Sequence, residues 1–232
     1  MIKAILFDIG GVILNESELE KEYFKFAKDM LRQSDIKLKD EKFDKAVKQC
    51  ILSFEPSFTR SLVQHFVKHD KKKCNKIVNA IRENVKNWSK NHPQKLNPGI
   101  KKILQLLSET YKLTLAGNQP SAVKNLLEQY GILKSFTTTD VSEDIGISKP
   151  DPRFFTDILK KLNVKGHEAI MIGDRLDNDI IPAKSLGMKT ILVKVGIFAI
   201  LEPRAPEEIP DATVSSVSEL PPAIKSIVEQ GE

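Results

Sequence analysis

The first apolar run, Ile2 to Phe7, is short and stops at Asp8-Ile9-Gly10-Gly11. A brief apolar run ended by a carboxylate and two glycines reads as a buried strand followed by a tight turn. Beyond it the period changes. Leu19, Tyr23, Phe26, Met30 and Leu31 recur at helical spacing, as do Phe43, Val47, Ile51 and Phe54 up to Pro56. Leu62, Phe66, Ile77, Ile81, Val85 and Trp88 continue the stripe. These stripes predict about four amphipathic helices with no strand among them.

Strand signals return after the linker from His92 to Gly99. Asn97 is expected to cap the next helix, with Pro98 at its first position. Ile100, Ile103, Leu104 and Leu107 mark that helix, and Lys112–Gly117 a second strand. A helix through Val123, Leu126, Leu127 and Tyr130 leads to a third strand, Phe136–Thr139. A loop, Ser142–Asp151, precedes a helix starting near Pro152, with Asp151 as its cap. Ala169–Gly173, Thr190–Val193 and Ala212–Val214 are further strands, and a last helix starts near Glu219. Strands alternating with helices predict an α/β fold, a Rossmann-like parallel-sheet core with right-handed crossovers. The all-helical stretch interrupts the first crossover. The expected organisation is therefore a core of residues 1–14 and 96–232 and a helical insertion of residues 15–95.

Composition narrows the function classes. Of 232 residues, 41% are hydrophobic and 29% charged, a globular balance. No run approaches the ~18 uncharged apolar residues of a membrane helix, so no membrane partner is expected. The opening run meets Asp8 too early for a signal peptide. Cys50 and Cys74 form no Cys-x-x-Cys pattern, and reduced thiols in a cytoplasmic protein are expected. Residues 15–95 carry 19 Lys and Arg against 12 Asp and Glu; the remainder carries 17 against 19. A positive insertion beside a mildly acidic core can steer a small anionic substrate. Lys71-Lys72-Lys73 has no interleaved aromatics, so it reads as a solvated face and nucleic acid is not an expected partner. A monomer or homodimer is expected.

Ligands of open α/β sheets bind beyond the carboxyl ends of the strands. Asp8, Asn118 and Asp174 lie at such ends, and Lys149 in a following loop, so these groups should converge on one rim. Gly10 and Gly11 let the turn backbone approach a ligand. Asp8, Asp174 and Asp179 together would repel one another without a cation. Mg2+, a hard ion that takes carboxylate, water and phosphate oxygens, resolves the repulsion. Lys149 can offset charge on a transferring phosphoryl group or pair with Asp8. Asn118 can donate to phosphate oxygens. Neither G-x-G-x-x-G nor G-x-x-x-x-G-K follows the first strand, which argues against a dinucleotide or P-loop site.

Four segments carry a family resemblance: Leu6-Phe7-Asp8-Ile9-Gly10-Gly11-Val12, Leu113-Thr114-Leu115-Ala116-Gly117-Asn118, Ser148-Lys149-Pro150-Asp151-Pro152, and Ile172-Gly173-Asp174 through Asp179. In this order and spacing they resemble the haloacid dehalogenase-like (HAD) hydrolase superfamily. The insertion resembles that family's C1-type cap. The resemblance implies that Asp8 is the nucleophile and forms an aspartyl intermediate. It implies that Asp8, the Gly10 carbonyl and Asp174 hold Mg2+, with Asp179 orienting metal-bound water or Lys149. Lys149 stabilises the intermediate, Asn118 and Gly11 meet the phosphate, and cap closure excludes water. The implied activity is Mg2+-dependent hydrolysis of a small phosphorylated metabolite.

Two positions depart from the pattern. The residue two after the nucleophile, an acid in family phosphatases, is Gly10. The Ser or Thr of the second segment is Gly117. Loss of a positioned acid costs ~10²–10⁴ in rate. A 2-haloacid dehalogenase is therefore an alternative, since halide leaves unprotonated; a weakly catalytic binder of ligands or partners is another. Phosphonate-cleaving members also lack the acid and use a cap lysine, but no cap lysine stands out. Asp179 could instead cap the helix at Ile180, and Asp177 reads as first-turn helix charge. His65 and His69 have the i, i+4 spacing of a metal pair but no third ligand.

Overall fold

The computed structural model describes residues 1–68 and 70–230; His69 lies outside them. The chain divides into two compact units, Met1–Asn15 with Lys95–Glu232, and Glu16–Gln94.

The elements run in chain order as β1 (Ala4–Phe7), β2 (Leu14–Asn15), α1 (Ser17–Arg32), α2 (Asp40–Leu52), α3 (Phe58–Val67), α4 (Lys71–Asn91) and β3 (Lys95–Leu96). There follow α5 (Ile100–Ser108), β4 (Lys112–Leu115), α6 (Val123–Gln129), α7 (Ser142–Ile145) and α8 (Pro152–Leu162). The last are β5 (Ala169–Gly173), α9 (Ile181–Ser185), β6 (Lys189–Val193), β7 (Ala212–Val214) and α10 (Leu220–Glu229).

Five strands form one parallel sheet in the order β4-β1-β5-β6-β7. Counted along the chain that order is 2-1-3-4-5, with its switch point at β1, where such sheets open a crevice. Successive residues of a strand face opposite sides, and the two cores follow that alternation. Ile5, Phe7, Ile170 and Ile172 pack with Ile103, Leu104, Leu107 and Ile224 on one side. Ala4, Leu6, Ala169 and Met171 pack with Phe154, Phe155, Ile158 and Leu162 on the other. Being covered on both faces, the central strands read as continuous apolar runs. β2 and β3 pair antiparallel, Leu14 with Leu96 and Asn15 with Lys95. The insertion is thus connected through a two-stranded ribbon.

The unit Glu16–Gln94 contains α1 to α4, the expected four helices. Its core joins Ala27, Leu31, Phe43, Ala46, Cys50, Leu62, Val63, Ile77, Val78 and Ile81. Phe24 rather than Phe26 packs on this core, where its ring meets those of Tyr23, Phe43 and Phe58. No helix among the described residues is long and apolar enough to cross a membrane.

Two local expectations are corrected. Phe136–Thr139 forms no strand; it meets β4 at an isolated bridge of Thr138 with Thr114, with Thr137 N–H donating to Leu113 O at 2.7 Å, directly after a 3₁₀ turn, Leu133–Ser135. Asn97 does not cap α5. Gly99, at φ 83°, precedes that helix. The Asn97 side chain turns back, its Nδ2 donating to the carbonyls of Gly11 at 2.6 Å and Val12 at 2.9 Å. Asp151 does cap α8, accepting from Arg153 N with Pro152 at the first turn.

Candidate active site

The rim at the carboxyl ends of β1 and β5 collects four charged side chains. Asp8 follows β1, and its N–H donates to Ile172 O at 2.8 Å, which continues the ladder to the strand end. Lys149 Nζ donates to Asp8 Oδ1 at 2.8 Å and to Asp179 Oδ1 at 2.5 Å. Lys149 is 4% exposed and Asp179 fully buried. Burial opposes the charge on Lys149, but Asp179 and Asp8 outweigh it and hold the ammonium above the ordinary lysine range. Burial pushes the Asp179 carboxyl up to about 6, with Lys149 pulling it down and Asp8 pushing it up. The ammonium sits between the two acids, within hydrogen-bond reach of an oxygen of each.

Asp174 completes the cluster. Ligand atoms of Asp8, Asp174 and Asp179 all lie within 4.8 Å of one another. Three acids and one ammonium thus share a largely buried site. A hard divalent cation with oxygen ligands fits that donor set. Two glycines make the crowding possible. A Cβ on Gly11, at φ 70°, would stand 2.6 Å from Asp174 Oδ2. One on Gly173 would collide with the Asp179 carboxyl. The Gly10 carbonyl, an expected metal ligand, accepts a hydrogen bond from Val12 N–H at 2.7 Å.

Asn118, expected on phosphate, has another partner. Its Nδ2 donates to Lys149 O at 2.8 Å, and its Oδ1 accepts from Lys149 N–H at 2.8 Å. The side chain reads the Lys149 main chain as a neighbouring strand would. Asp179 lies in a wide π-type turn, Leu176–Ile180, where its Oδ2 accepts from Arg175 N–H at 3.1 Å. It is an internal clasp of that turn and not the cap of α9. Asp177 stands in the first turn as expected, and there it also binds the Arg175 guanidinium.

Sequence reasoning missed three participants. Asn97 ties down the turn after Asp8 from a position far along the chain. Arg175 stands inside the fourth segment, among its acids. Ile9 fills the space beside Gly117, its Cδ1 2.7 Å from where a Cβ of residue 117 would be. A glycine standing where the family has a hydroxyl was the available signal for that last contact. His65 Nδ1 lies 2.9 Å from Ser61 O and 3.8 Å from Cys50 Sγ.

A family model described as haloacid dehalogenase-like hydrolase matches residues 5–193. Glyceraldehyde 3-phosphate phosphatase of Methanopyrus kandleri is 28% identical over 237 residues, covering 99% of this chain and 100% of the relative. The protein of the same name from Methanocaldococcus jannaschii is 27% identical over 251 residues, covering 98% and 99%. Among solved structures, a HAD phosphatase from Thermococcus onnurineus superposes with a TM-score of 0.64 at 24% identity, covering 96% of this chain and 98% of that one.

Proposed function

The chain belongs to the haloacid dehalogenase-like hydrolase family, and on that premise we propose that it is a phosphatase of small phosphorylated metabolites with Asp8 as nucleophile. The observation that carries the reading is the Lys149 ammonium held between Asp8 and Asp179 beside Asp174. Lys149 fixes one oxygen of Asp8 and leaves the other for attack on phosphorus. The Asp8–phosphorus bond forms as the ester P–O bond breaks, and the phosphoryl passes to Asp8. The departing oxygen takes its proton from water, because Gly10 carries no acid. Attack of water on the acyl phosphate then returns the Asp8 carboxylate and inorganic phosphate. Asp179 keeps Lys149 in register throughout, and Asn118 fixes the main chain that carries it.

Mg2+, held by Asp8, Asp174 and the Gly10 carbonyl, would supply positive charge to the phosphoryl oxygens. The grouping of Asp174 and Asp179 with Asp8 favours this metal-assisted reading over dehalogenation, which needs no Mg2+. The relatives' name makes glyceraldehyde 3-phosphate the first substrate to test. Buried, unpaired Cys50 and Cys74 suit the reducing cytoplasm.

The test is release of inorganic phosphate from glyceraldehyde 3-phosphate, other small phosphate esters and an aryl phosphate, each with and without Mg2+. Release that needs Mg2+ and disappears in Asp8→Asn supports the reading. Chloride release from a 2-chloro acid without metal, and no phosphate release, would replace it with dehalogenation. Neither product would leave a ligand-binding protein.

A further inference from the structure

Arg175 stands between Asp174 and the wide turn that carries Asp179, and its side chain is bound on two sides. Nε donates to Asp177 Oδ1 at 3.0 Å and Nη2 to Asp177 Oδ2 at 2.5 Å. This is a fork-to-fork pair, closed within the turn. The guanidinium carbon also lies 4.5 Å from the centroid of the Phe198 ring, in the 3₁₀ turn Gly196–Ile200 after β6. The side chain is 22% exposed. At that degree of cover a cation–π contact is more than a surface encounter. The same loop comes close to the site at a second point, because a Cβ added to Gly11 would stand 3.3 Å from Val195 Cγ2.

The main chain of Arg175 points the other way. Its N–H donates to Asp179 Oδ2 at 3.1 Å. Its carbonyl accepts from the N–H groups of Asp179 at 3.0 Å and Ile180 at 3.3 Å. One residue thus joins the loop after β6 to the carboxylate that holds Lys149. A planar guanidinium gripped on its edge by a carboxylate and on its face by a ring has one orientation. Fixing it fixes the backbone of Arg175, and with it the N–H aimed at Asp179.

We propose that Arg175 and Phe198 are positioning residues, which set the Asp179 carboxylate, and through it Lys149, against Asp8. The proposal deepens the phosphatase reading and rests on it for its kinetic part. Arg175 orients the charged cluster without touching substrate. Phe198 acts only through Arg175.

The test compares Arg175→Gln, Phe198→Leu, the double variant and Phe198→Tyr in the full chain. Hydrolysis of p-nitrophenyl phosphate with Mg2+ gives kcat and KM, and a ¹H–¹⁵N spectrum gives the backbone amide at position 175 in every variant. Each of the first two variants should lower kcat about tenfold with KM nearly unchanged, as expected for small displacements of reacting groups. The double variant should be no worse than Arg175→Gln, and Phe198→Tyr should match the parent. In Phe198→Leu the Arg175 amide proton should move upfield as its bond to the Asp179 carboxylate weakens. An unchanged kcat with only a lower Tm overturns the proposal, as does an unshifted amide in Phe198→Leu. Losses that multiply in the double variant overturn the route through Arg175. If the parent hydrolyses no phosphate ester, the phosphatase reading fails by itself, and the amide resonance in Phe198→Leu still decides whether the ring positions the turn.

Discussion

Asn118 holds the peptide of Lys149 from both sides, donating to its carbonyl and accepting from its N–H, each at 2.8 Å. That arrangement makes Asn118 a support for the lysine. Asn118→Ala removes both bonds and frees the main chain that delivers Nζ to Asp8. The expected result is a fall in kcat on the order of 10²-fold with KM little changed. Asn118→Asp keeps the acceptor but sets a carboxylate oxygen against the Lys149 carbonyl, so it should not rescue. Steady-state kinetics on an aryl phosphate distinguish the roles, because loss of a phosphate contact made equally in ground and transition states would raise KM and spare kcat.

The ion cluster makes a stability prediction. Asp179 is fully buried, and Lys149 is its cationic partner. Lys149→Met strands a carboxylate away from water, at a cost of about 3–5 kcal/mol. Adding Asp179→Asn removes the stranded charge and should recover much of that loss. Urea unfolding of the parent, the single variant and the pair measures it; equal losses in single and double variants would show that the charge pairing is not what Lys149 provides to the fold.

How much of this was legible in the sequence depends on the range of the signal. Buried parallel strands are short apolar runs ended by the residue that leaves the sheet, so Phe7-Asp8 and Gly173-Asp174 announce both the strands and the rim. Helical stripes exposed the four-helix insertion in the same way, although Phe24 and Phe26 cannot be told apart on a stripe this broad. For Asn97 the local signal and the structure differ, because Asn-Pro-Gly favours a helix start locally, whereas its partners Gly11 and Val12 are set by tertiary contact. The Arg175–Asp177 pair was hidden for another reason. A wide turn brings residues two apart face to face, and helical periodicity does not anticipate one. The Phe136–Thr139 segment has strand composition but pairs with β4 at an isolated bridge, too short a ladder for a strand.

Gly117 carries a steric prediction. Restoring the hydroxyl of the family pattern with Gly117→Ser places a Cβ 2.7 Å from Ile9 Cδ1 and 2.9 Å from Cγ1. Overpacking of a closed site costs about 1–3 kcal/mol, so the single variant should be destabilised without gaining activity. Ile9→Ala clears both atoms. In that background Gly117→Ser should cost much less, and thermal melts of the four proteins would reveal the coupling. Additive losses would mean that the clash is relieved elsewhere.

Gly11 is the corresponding test of the metal site. At φ 70° a side chain is strained, and a Cβ would meet Asp174 Oδ2 at 2.6 Å. Gly11→Ala should push the Asp174 carboxylate away from Asp8 and weaken Mg2+ binding tenfold or more, on the order of 1.4 kcal/mol. Titration calorimetry with Mg2+ measures this without any substrate. Unaltered affinity would remove Asp174 from the proposed ligands.

Two groups of the helical unit carry an alkaline pH dependence. Burial, outweighing the hydrogen bond to Thr59, pushes the Tyr23 hydroxyl from 10.0 up to about 12. Burial, with Glu55 adding to it, pushes the Cys50 thiol from 9.0 up to about 11. Both groups hold their protons more tightly folded than unfolded. The unfolded chain therefore releases protons first as pH rises, and stability falls across that interval. The contribution is complete below pH 9 and is lost as pH rises through about 11 for Cys50 and about 12 for Tyr23. Between pH 8.5 and 11 the Tm of the parent should drop by about 5 °C more than that of Tyr23→Phe/Cys50→Ala, whose curve lacks both titrations. Circular dichroism melts at half-unit pH steps provide the comparison. Parallel curves for parent and double variant would assign the alkaline loss to the lysines instead.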